Sequence, residues 1–512
     1  MTRESVSASA LYAHVLAFCA GMSIMAVELC ASRLVAPYFG SSTFVWTNVI
    51  GVMLVALALG YLVGGSLADR RPQLKILLRL LLGACAYLLV LPYAVGPALS
   101  AISTLLTGLH SSFAFIFAGS LIAIVLLFAP PIVIMGMTSP FLIRILAQKR
   151  HLGEIAGRVF AVSTLGSVLG TFLPTLVFVP TIGTSKTIAI FAGALLAVVV
   201  IGLRRSAGAP AGVLALALVL VPAPAVRQMP GEIWAGESAY GYIEVIDRGN
   251  LRFLAYDDAL GWESVADKTG PLTGLYFDYY ARLPRYLGRP AHKVLVLGLG
   301  GGVIANQLHG AYPELSVTGV EIDPLVIDVA RRFFKLNPQT RVVNQDGRIF
   351  VRLDRGSYDI VVVDAYARQI YIPFHLATQQ FFRQVKARLA ADGLLAMNVT
   401  SVQTDSTLMR ALRATLHTVF AHVYTMRIPR SYNYMVLASD RAPSFAQDGP
   451  GAPAFYEDRS ADIARVLTDD RAPVEFMMDW ELLARSAVIE PRLDGASHCC
   501  ASQGVPVSGP QE

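Results

Sequence analysis

Seven apolar runs crowd the first 225 residues, and their length decides what this part of the chain can fold into. They cover 11–36, 44–68, 74–95, 113–136, 157–180, 185–203 and, more weakly, 209–225. A helix that crosses a bilayer needs about 20 apolar residues. The first run is too long, and its followers too many, for a cleaved signal peptide. Buried helices of a soluble protein would need charged outer faces, and these runs have almost none. The whole chain is 54% hydrophobic and 15% charged, where soluble domains average about a quarter charged. Residues 1–225 are therefore expected to form a transmembrane helical domain of six or seven spans.

Charge divides the chain the same way. Met1 to Ala225 holds 13 Lys and Arg against 4 Asp and Glu, a net of +9. The remainder holds 29 against 32, a net of −3. Such asymmetry speaks for two solvents, not for a basic nucleic-acid binder, and no nucleic-acid partner is expected. The positive residues mark sides. Arg70, Arg71, Lys75 and Arg79 follow the second run; Arg144, Lys149, Arg150 and Arg158 surround the link between the fourth and fifth; Arg204 and Arg205 follow the sixth. The positive-inside rule places these loops and the N-terminus in the cytoplasm, with the chain in a bacterial-type inner membrane. The seventh run is short and carries Pro210, Pro222 and Pro224. A seventh crossing would export the rest of the chain; read instead as re-entrant or interfacial, the run leaves six crossings and the rest of the chain in the cytoplasm, which is the favoured reading.

Within the first run sit Glu28 and Arg33, expensive residues in hydrocarbon. They suggest an intramembrane ion pair or a snorkelling Arg, or else part of a polar-substrate path. Pro130-Pro131 and Met135 to Pro140 mark a kinked helix, and Gly157, Gly166 and Gly170 offer faces for close helix packing. The cysteines, Cys19, Cys30, Cys85, Cys499 and Cys500, show no metal-ligand spacing and no disulfide framework, so no metal is expected.

From Gly231 the texture changes. Residues 231–290 read as a small β and helix lead-in. In it, Tyr240 to Asp247 and Leu251 to Tyr256 form a hairpin around Arg248-Gly249-Asn250, and a helix covers Leu272 to Arg285. Residues 291–442 alternate strand and helix. Strands are expected at Val294 to Leu297, Ser316 to Glu321, Arg341 to Asn344, Tyr358 to Asp364 and Gly393 to Val399. Helices are expected at Val303 to Leu308, Pro324 to Phe334 and Thr378 to Leu389. That alternation means an α/β, Rossmann-like parallel sheet covered on both faces. Residues 443–512 read as a partly disordered extension with a modest helix at Pro473 to Ser486.

The chemistry gathers at strand ends. Gly298, Gly300, Gly301 and Gly302 bridge a strand to a helix, where a bare backbone and free N–H groups can approach a ligand. The turn has no Lys, so it is not a phosphate loop. Its glycines do not tell a nicotinamide cofactor from an S-adenosyl donor. Glu321 ends the next strand, 23 residues after Gly298, where a carboxylate can take both ribose hydroxyls. Asp346, before Gly347, ends the third strand and can accept from the exocyclic amine of adenine. Asp364 ends the fourth. The last two acids favour an adenosyl-thioether donor.

With these residues in view, the chain resembles the membrane-fused spermidine synthase-like family of polyamine aminopropyltransferases, over roughly Tyr240 to Val399. The resemblance rests on Tyr276-Phe277-Asp278, on Gly298 to Gly302, and on Val320-Glu321-Ile322-Asp323. It also rests on Asp346, and on Asp364 followed by Ile372-Pro373-Phe374-His375-Leu376. It implies an S-adenosylmethionine-dependent transferase fold, with Glu321 on ribose, Asp346 on adenine, and Asp364 deprotonating and positioning an acceptor amine. Tyr276-Phe277-Asp278 is similar to the family's Tyr-His-Glu motif with the His lost. Two further departures stand out. Gly301 occupies the place of an Asp that meets the amine of the decarboxylated donor. Tyr366 and Arg368 occupy the stretch where a further acid is expected.

Three functions follow from this. One is aminopropyl transfer from decarboxylated S-adenosylmethionine to an amine, with Asp364, Tyr276 and Tyr366 as catalytic groups. Another is methyl transfer from S-adenosylmethionine to a lipid or membrane-delivered molecule. The third is transport or sensing of a polyamine-like cation. The expected partners are a small amine or lipid acceptor and the bilayer, and a homodimer is compatible with the reading. The donor is made in the cytoplasm, so the catalytic domain is expected there.

Overall fold

The structure is a computed structural model. It describes residues 3–106, 112–147, 152–204, 208–257, 261–366, 371–401, 403–429, 431–445, 454–458 and 465–478. Lys149, Arg150, Arg205, Arg368, Cys499 and Cys500 lie outside these residues, as does the expected C-terminal helix beyond residue 478. The chain divides into two compact units. One is helical and comprises Met1–Leu109, Ala114–Gln228 and Gly236–Tyr242; the other is α/β and consists chiefly of Ile243–Glu512.

The helical unit opens with α1 (Arg3–Phe39), α2 (Thr43–Arg70) and α3 (Leu74–Leu105). The fourth span is broken into α4 (Ser112–Leu127), α5 (Ala129–Gly136) and α6 (Thr138–Leu146), with breaks at Phe128 and Met137 where the Pro pair and the Gly-Met-Thr-Ser-Pro stretch fall. Next come α7 (Leu152–Leu173), a wide turn at Pro174–Phe178, α8 (Val179–Ile182), α9 (Thr184–Leu203) and α10 (Gly208–Leu216). Six of these helical stretches are long and apolar enough to cross a membrane. Helix α7 packs on α1 through glycines. A Cβ on Gly166 would sit 2.0 Å from the Phe18 carbonyl oxygen, and one on Gly170 2.1 Å from that of Met22. Gly157 has nothing within 4 Å, so it takes no part in that seam. Arg33 donates instead to the carbonyls of Ser238 and Ala239, so the ion pair with Glu28 is not formed.

The seventh apolar segment does not turn back. Gly212 lies against Val200 and Leu82, Val219 against Gly193, and the Val226 carbonyl against Gly96. The segment thus runs antiparallel to α9 and parallel to α3. Tyr93 donates to the carbonyls of Leu218 and Val221 at its helical end, and Arg227 donates to the Pro37 carbonyl. Its prolines do not stop it. Pro210 falls in the first turn of α10, where a missing N–H costs nothing, and Pro222 and Pro224 follow the helical part.

The α/β unit contains two sheets. β1 (Glu232–Glu237), β2 (Tyr242–Arg248), β3 (Leu251–Tyr256) and β4 (Ser264–Asp267) form the first, in that order. The expected Leu272 to Arg285 helix is a tight 3-10 turn at Tyr276–Arg282 followed by α11 (Leu283–Tyr286). It starts late because the Asp278 carboxylate captures the N–H groups of Thr273 and Gly274, fixing a turn before it. The second sheet follows with β5 (Lys293–Leu297), α12 (Val303–Ala311), β6 (Ser316–Glu321), α13 (Pro324–Phe333), β7 (Arg341–Asn344), α14 (Gly347–Leu353) and β8 (Tyr358–Val363). It continues with α15 (Gln379–Lys386), β9 (Leu389–Thr400), α16 (Thr407–His417), β10 (His422–Arg427), β11 (Asn433–Ser439) and β12 (Tyr456–Glu457).

The strand order is β12-β10-β11-β9-β8-β5-β6-β7, parallel from β9 to β7 and antiparallel beyond β9. Alternation along the central strands separates two cores. Val294, Val296, Ile360 and Val362 face one side; Leu295, Leu297, Val361 and Val363 face the other. Both faces of the parallel part are covered, which is why its strands read as unbroken apolar runs.

Candidate active site

Adjacent parallel strands β8, β5, β6 and β7 end along one edge, and their ends carry Asp364, Gly298, Glu321 and Asp346 in turn. Open α/β sheets bind ligands at this edge. The glycine turn makes it passable. Gly298, Gly300 and Gly302 all have positive φ, at 85°, 52° and 77°. A Cβ on Gly298 would also lie 2.3 Å from the Asp364 carbonyl oxygen, so only glycine lets the two strand ends pass.

Glu321 is anchored to this turn. Its Oε2 accepts from the Gly300 N–H at 3.0 Å and its Oε1 from the Asp323 N–H at 3.1 Å. Burial raises its pKa, and the two backbone donors oppose that shift. Each carboxylate oxygen keeps a lone pair for a further donor, a match for the two hydroxyls of a ribose. Asp323 accepts from the Tyr256 hydroxyl at 2.7 Å and caps α13. Asp346 caps α14 through Oδ1, which accepts from the Ile349 N–H at 2.8 Å. Its Oδ2 lies 3.4 Å from His375 Nε2, and the His375 hydrogen bond holds the carboxyl below its usual range. Gly347 opens α14 beside Leu297.

Asp364 sits in a cage of side chains. Tyr276, 7% exposed, donates its hydroxyl to Oδ2 at 3.2 Å, and Asn398 Nδ2 donates to Oδ1 at 2.8 Å. Behind Asn398 its Oδ1 accepts from Asn433 Nδ2 at 3.0 Å, and Asn433 accepts from Ser431 at 2.6 Å. Desolvation pushes the Asp364 pKa up to about 6, against the pull of its two donors. Tyr366 packs nearby and its hydroxyl oxygen accepts from Thr400 N–H and Oγ1 at 3.1 and 3.2 Å. Burial raises Tyr276 and Tyr366, and the negative charges of Asp364 and Glu263 act on both phenols in the same direction. Asp278, third in the Tyr-Phe-Asp motif, does structural work. Besides its turn it accepts from Gln307 of α12 at 2.6 Å.

The space of the missing carboxylate at Gly301 is filled. Its N–H donates to Ser264 Oγ at 2.8 Å, and a Cβ there would meet the Phe334 ring and Ser264 Cβ at 2.9 Å. Sequence reasoning passed over Asn398, Asn433, Glu263 and Tyr280. Two of them had a signal. Asn398 is a lone amide in the apolar run Leu394 to Val399, and Tyr280 lies one helical turn from Tyr276.

A family profile described as the spermine/spermidine synthase domain matches residues 276–441. A probable polyamine aminopropyl transferase of Bifidobacterium longum is 29% identical over 276 residues, 48% of this chain and 61% of that protein. The polyamine aminopropyltransferase of Vibrio vulnificus is 32% identical over 217 residues, 40% of this chain and 70% of that protein. An eEF1A lysine and N-terminal methyltransferase homolog of Drosophila pseudoobscura is 32% identical over 180 residues, 32% of this chain and 26% of that protein. The chain thus spans less than two thirds of the Bifidobacterium protein.

Proposed function

Because the chain belongs to the spermine/spermidine synthase family, we propose that its α/β unit moves an aminopropyl group from decarboxylated S-adenosylmethionine to an amine. The observation that carries this is Asp364, a carboxylate with a pKa near 6 held between Tyr276 and Asn398 at a strand end beside the glycine turn. A general base works best with a pKa near the operating pH, and an ordinary Asp titrates near 4. In this reading Glu321 holds the ribose, Asp346 and the Gly347 turn meet the adenine, and Gly298, Gly300 and Gly302 let the donor lie on bare backbone.

The chemistry is a displacement. The acceptor nitrogen's lone pair forms a bond to the carbon beside the sulfonium, and the carbon–sulfur bond breaks toward sulfur. The thioether leaves neutral and needs no acid. The nitrogen's proton passes to Asp364. Tyr276 and Asn398 fix the carboxylate, so much of the rate gain comes from orientation.

Methyl transfer is the second reading. Gly301, whose space is filled by Ser264 and Phe334, supplies no carboxylate to repel the carboxyl group of ordinary S-adenosylmethionine. Similarity to the Drosophila methyltransferase homolog supports it too.

We also propose that the helical unit is embedded in a membrane, with the soluble part on the non-cytoplasmic side. Arg144 pairs with Asp69 at 2.8 Å, next to Arg70, so these charges share one end of the bundle. Tyr12 of α1 meets Val198 of α9, which puts Arg204 at that same end. The segment 208–227 begins there and finishes beside Pro37 and Gly96, toward the other. Its 13 helical residues and seven extended ones reach roughly 40 Å, more than the ~30 Å hydrocarbon core. The positive-inside rule then puts its exit outside, the reverse of the side expected from the short, proline-bearing run. A donor made in the cytoplasm has to cross to reach Asp364.

The Asp364→Asn protein tests the proposal. Donor affinity is expected to stay within about threefold while kcat falls by roughly a hundredfold or more. Turnover retained within a few-fold would assign the base elsewhere.

A further inference from the structure

Tyr280 shares the short helical turn Tyr276–Arg282 with Tyr276, and their rings meet edge to face with centroids 6.3 Å apart. Its side chain is 1% exposed, and its hydroxyl has no hydrogen-bond partner among the described residues. A buried polar group left unmade is costly, and native structures seldom keep one without a reason. Its ring neighbour Tyr276 carries the hydroxyl that meets Asp364 at 3.2 Å, so Tyr280 stands one side chain away from the acid; burial raises this phenol's pKa, and the charge of Asp364 acts in the same direction. Both neighbouring phenols already have partners. Tyr276 spends its proton on Asp364, and the Tyr366 oxygen already accepts twice from Thr400.

We infer that Tyr280 is an acceptor-binding residue whose phenol oxygen takes one N–H of a primary amine while Asp364 takes the other. The inference rests on reading this pocket as the amine-acceptor site. A neutral primary amine has two N–H bonds and one lone pair. Two acceptors in fixed positions leave the lone pair only one direction, toward the carbon it attacks. A secondary amine has a single N–H and would leave the Tyr280 oxygen as orphaned as before. The pocket therefore selects primary over secondary alkyl amines.

Calorimetry just above neutral pH on the full-length protein saturated with methylthioadenosine tests this, using amines weak enough to be free bases there: 2,2,2-trifluoroethylamine and its N-methyl derivative, then aminoacetonitrile and its N-methyl derivative. The wild type is expected to bind each primary amine at least tenfold more tightly than its secondary partner. Tyr280→Phe is expected to erase that ratio by weakening only the primary amines. Methylthioadenosine affinity should stay within twofold. The melting temperature should hold or rise, because an unsatisfied buried hydroxyl has been removed. Tyr280→Met, also without a hydroxyl, should repeat the result. An unchanged ratio in both variants, or no amine binding by the wild type, overturns the inference. Wild type that binds primary amines but makes no product from decarboxylated donor refutes the aminopropyl reading and leaves the role of Tyr280 standing.

Discussion

The role proposed for Asp364 rests on a conflict between its surroundings. Lost hydration raises its pKa, while the Tyr276 hydroxyl and the Asn398 amide stabilise its charge. The balance leaves a carboxylate that is ionised at neutral pH and still basic enough to take a proton. The sign of the pH effect follows. Below about pH 6 the acid is protonated and cannot accept, so kcat/KM for the acceptor falls. A pH profile at saturating donor should show an acid limb near 6, absent in whatever activity Asp364→Asn retains. A limb near 4 would mean an unperturbed acid and a different base. Glu321 and Asp364 were legible as strand-end acids because the apolar run before each gives its position away. The Asn398–Asn433–Ser431 chain was not, since it joins residues 35 apart through the pairing of β9 with β11. Gly301 was visible as a departure from the family, but not its cause, since Ser264 and Phe334 reach it only in the fold.

Among the elements, the long apolar helices and the central strands were readable because their periods are dictated by the solvent on each side. The fourth span's kinks followed from its prolines. The course of the seventh segment was harder to read for a physical reason. Its prolines sit at its ends, and Tyr93 and Arg227 bind or anchor backbone that would otherwise be bare. Glycine seams show the same gap between pattern and packing. Gly166 and Gly157 look alike in sequence, yet only Gly166 touches α1. Gly166→Leu should therefore lower the melting temperature of the detergent-solubilised protein, by overpacking worth about 1–3 kcal/mol or more. Gly157→Leu should leave it nearly unchanged. Equal effects would contradict the seam.

For the whole molecule, the side on which the soluble part emerges decides which compartment supplies its substrates. Single cysteines near Arg71 and near Gly249, in a cysteine-free background, should separate in intact spheroplasts. The one near Gly249 is expected to react with a membrane-impermeant maleimide, and the one near Arg71 only after lysis. The reverse pattern would return the soluble part to the cytoplasm. The more central claim is chemical, and the most direct measurement is the mass of the product made by purified full-length protein from putrescine and each donor in turn. The prediction is a gain of one aminopropyl group from decarboxylated S-adenosylmethionine, lost in Asp364→Asn. A gain of one methyl group from S-adenosylmethionine, with nothing from the decarboxylated donor, would contradict it.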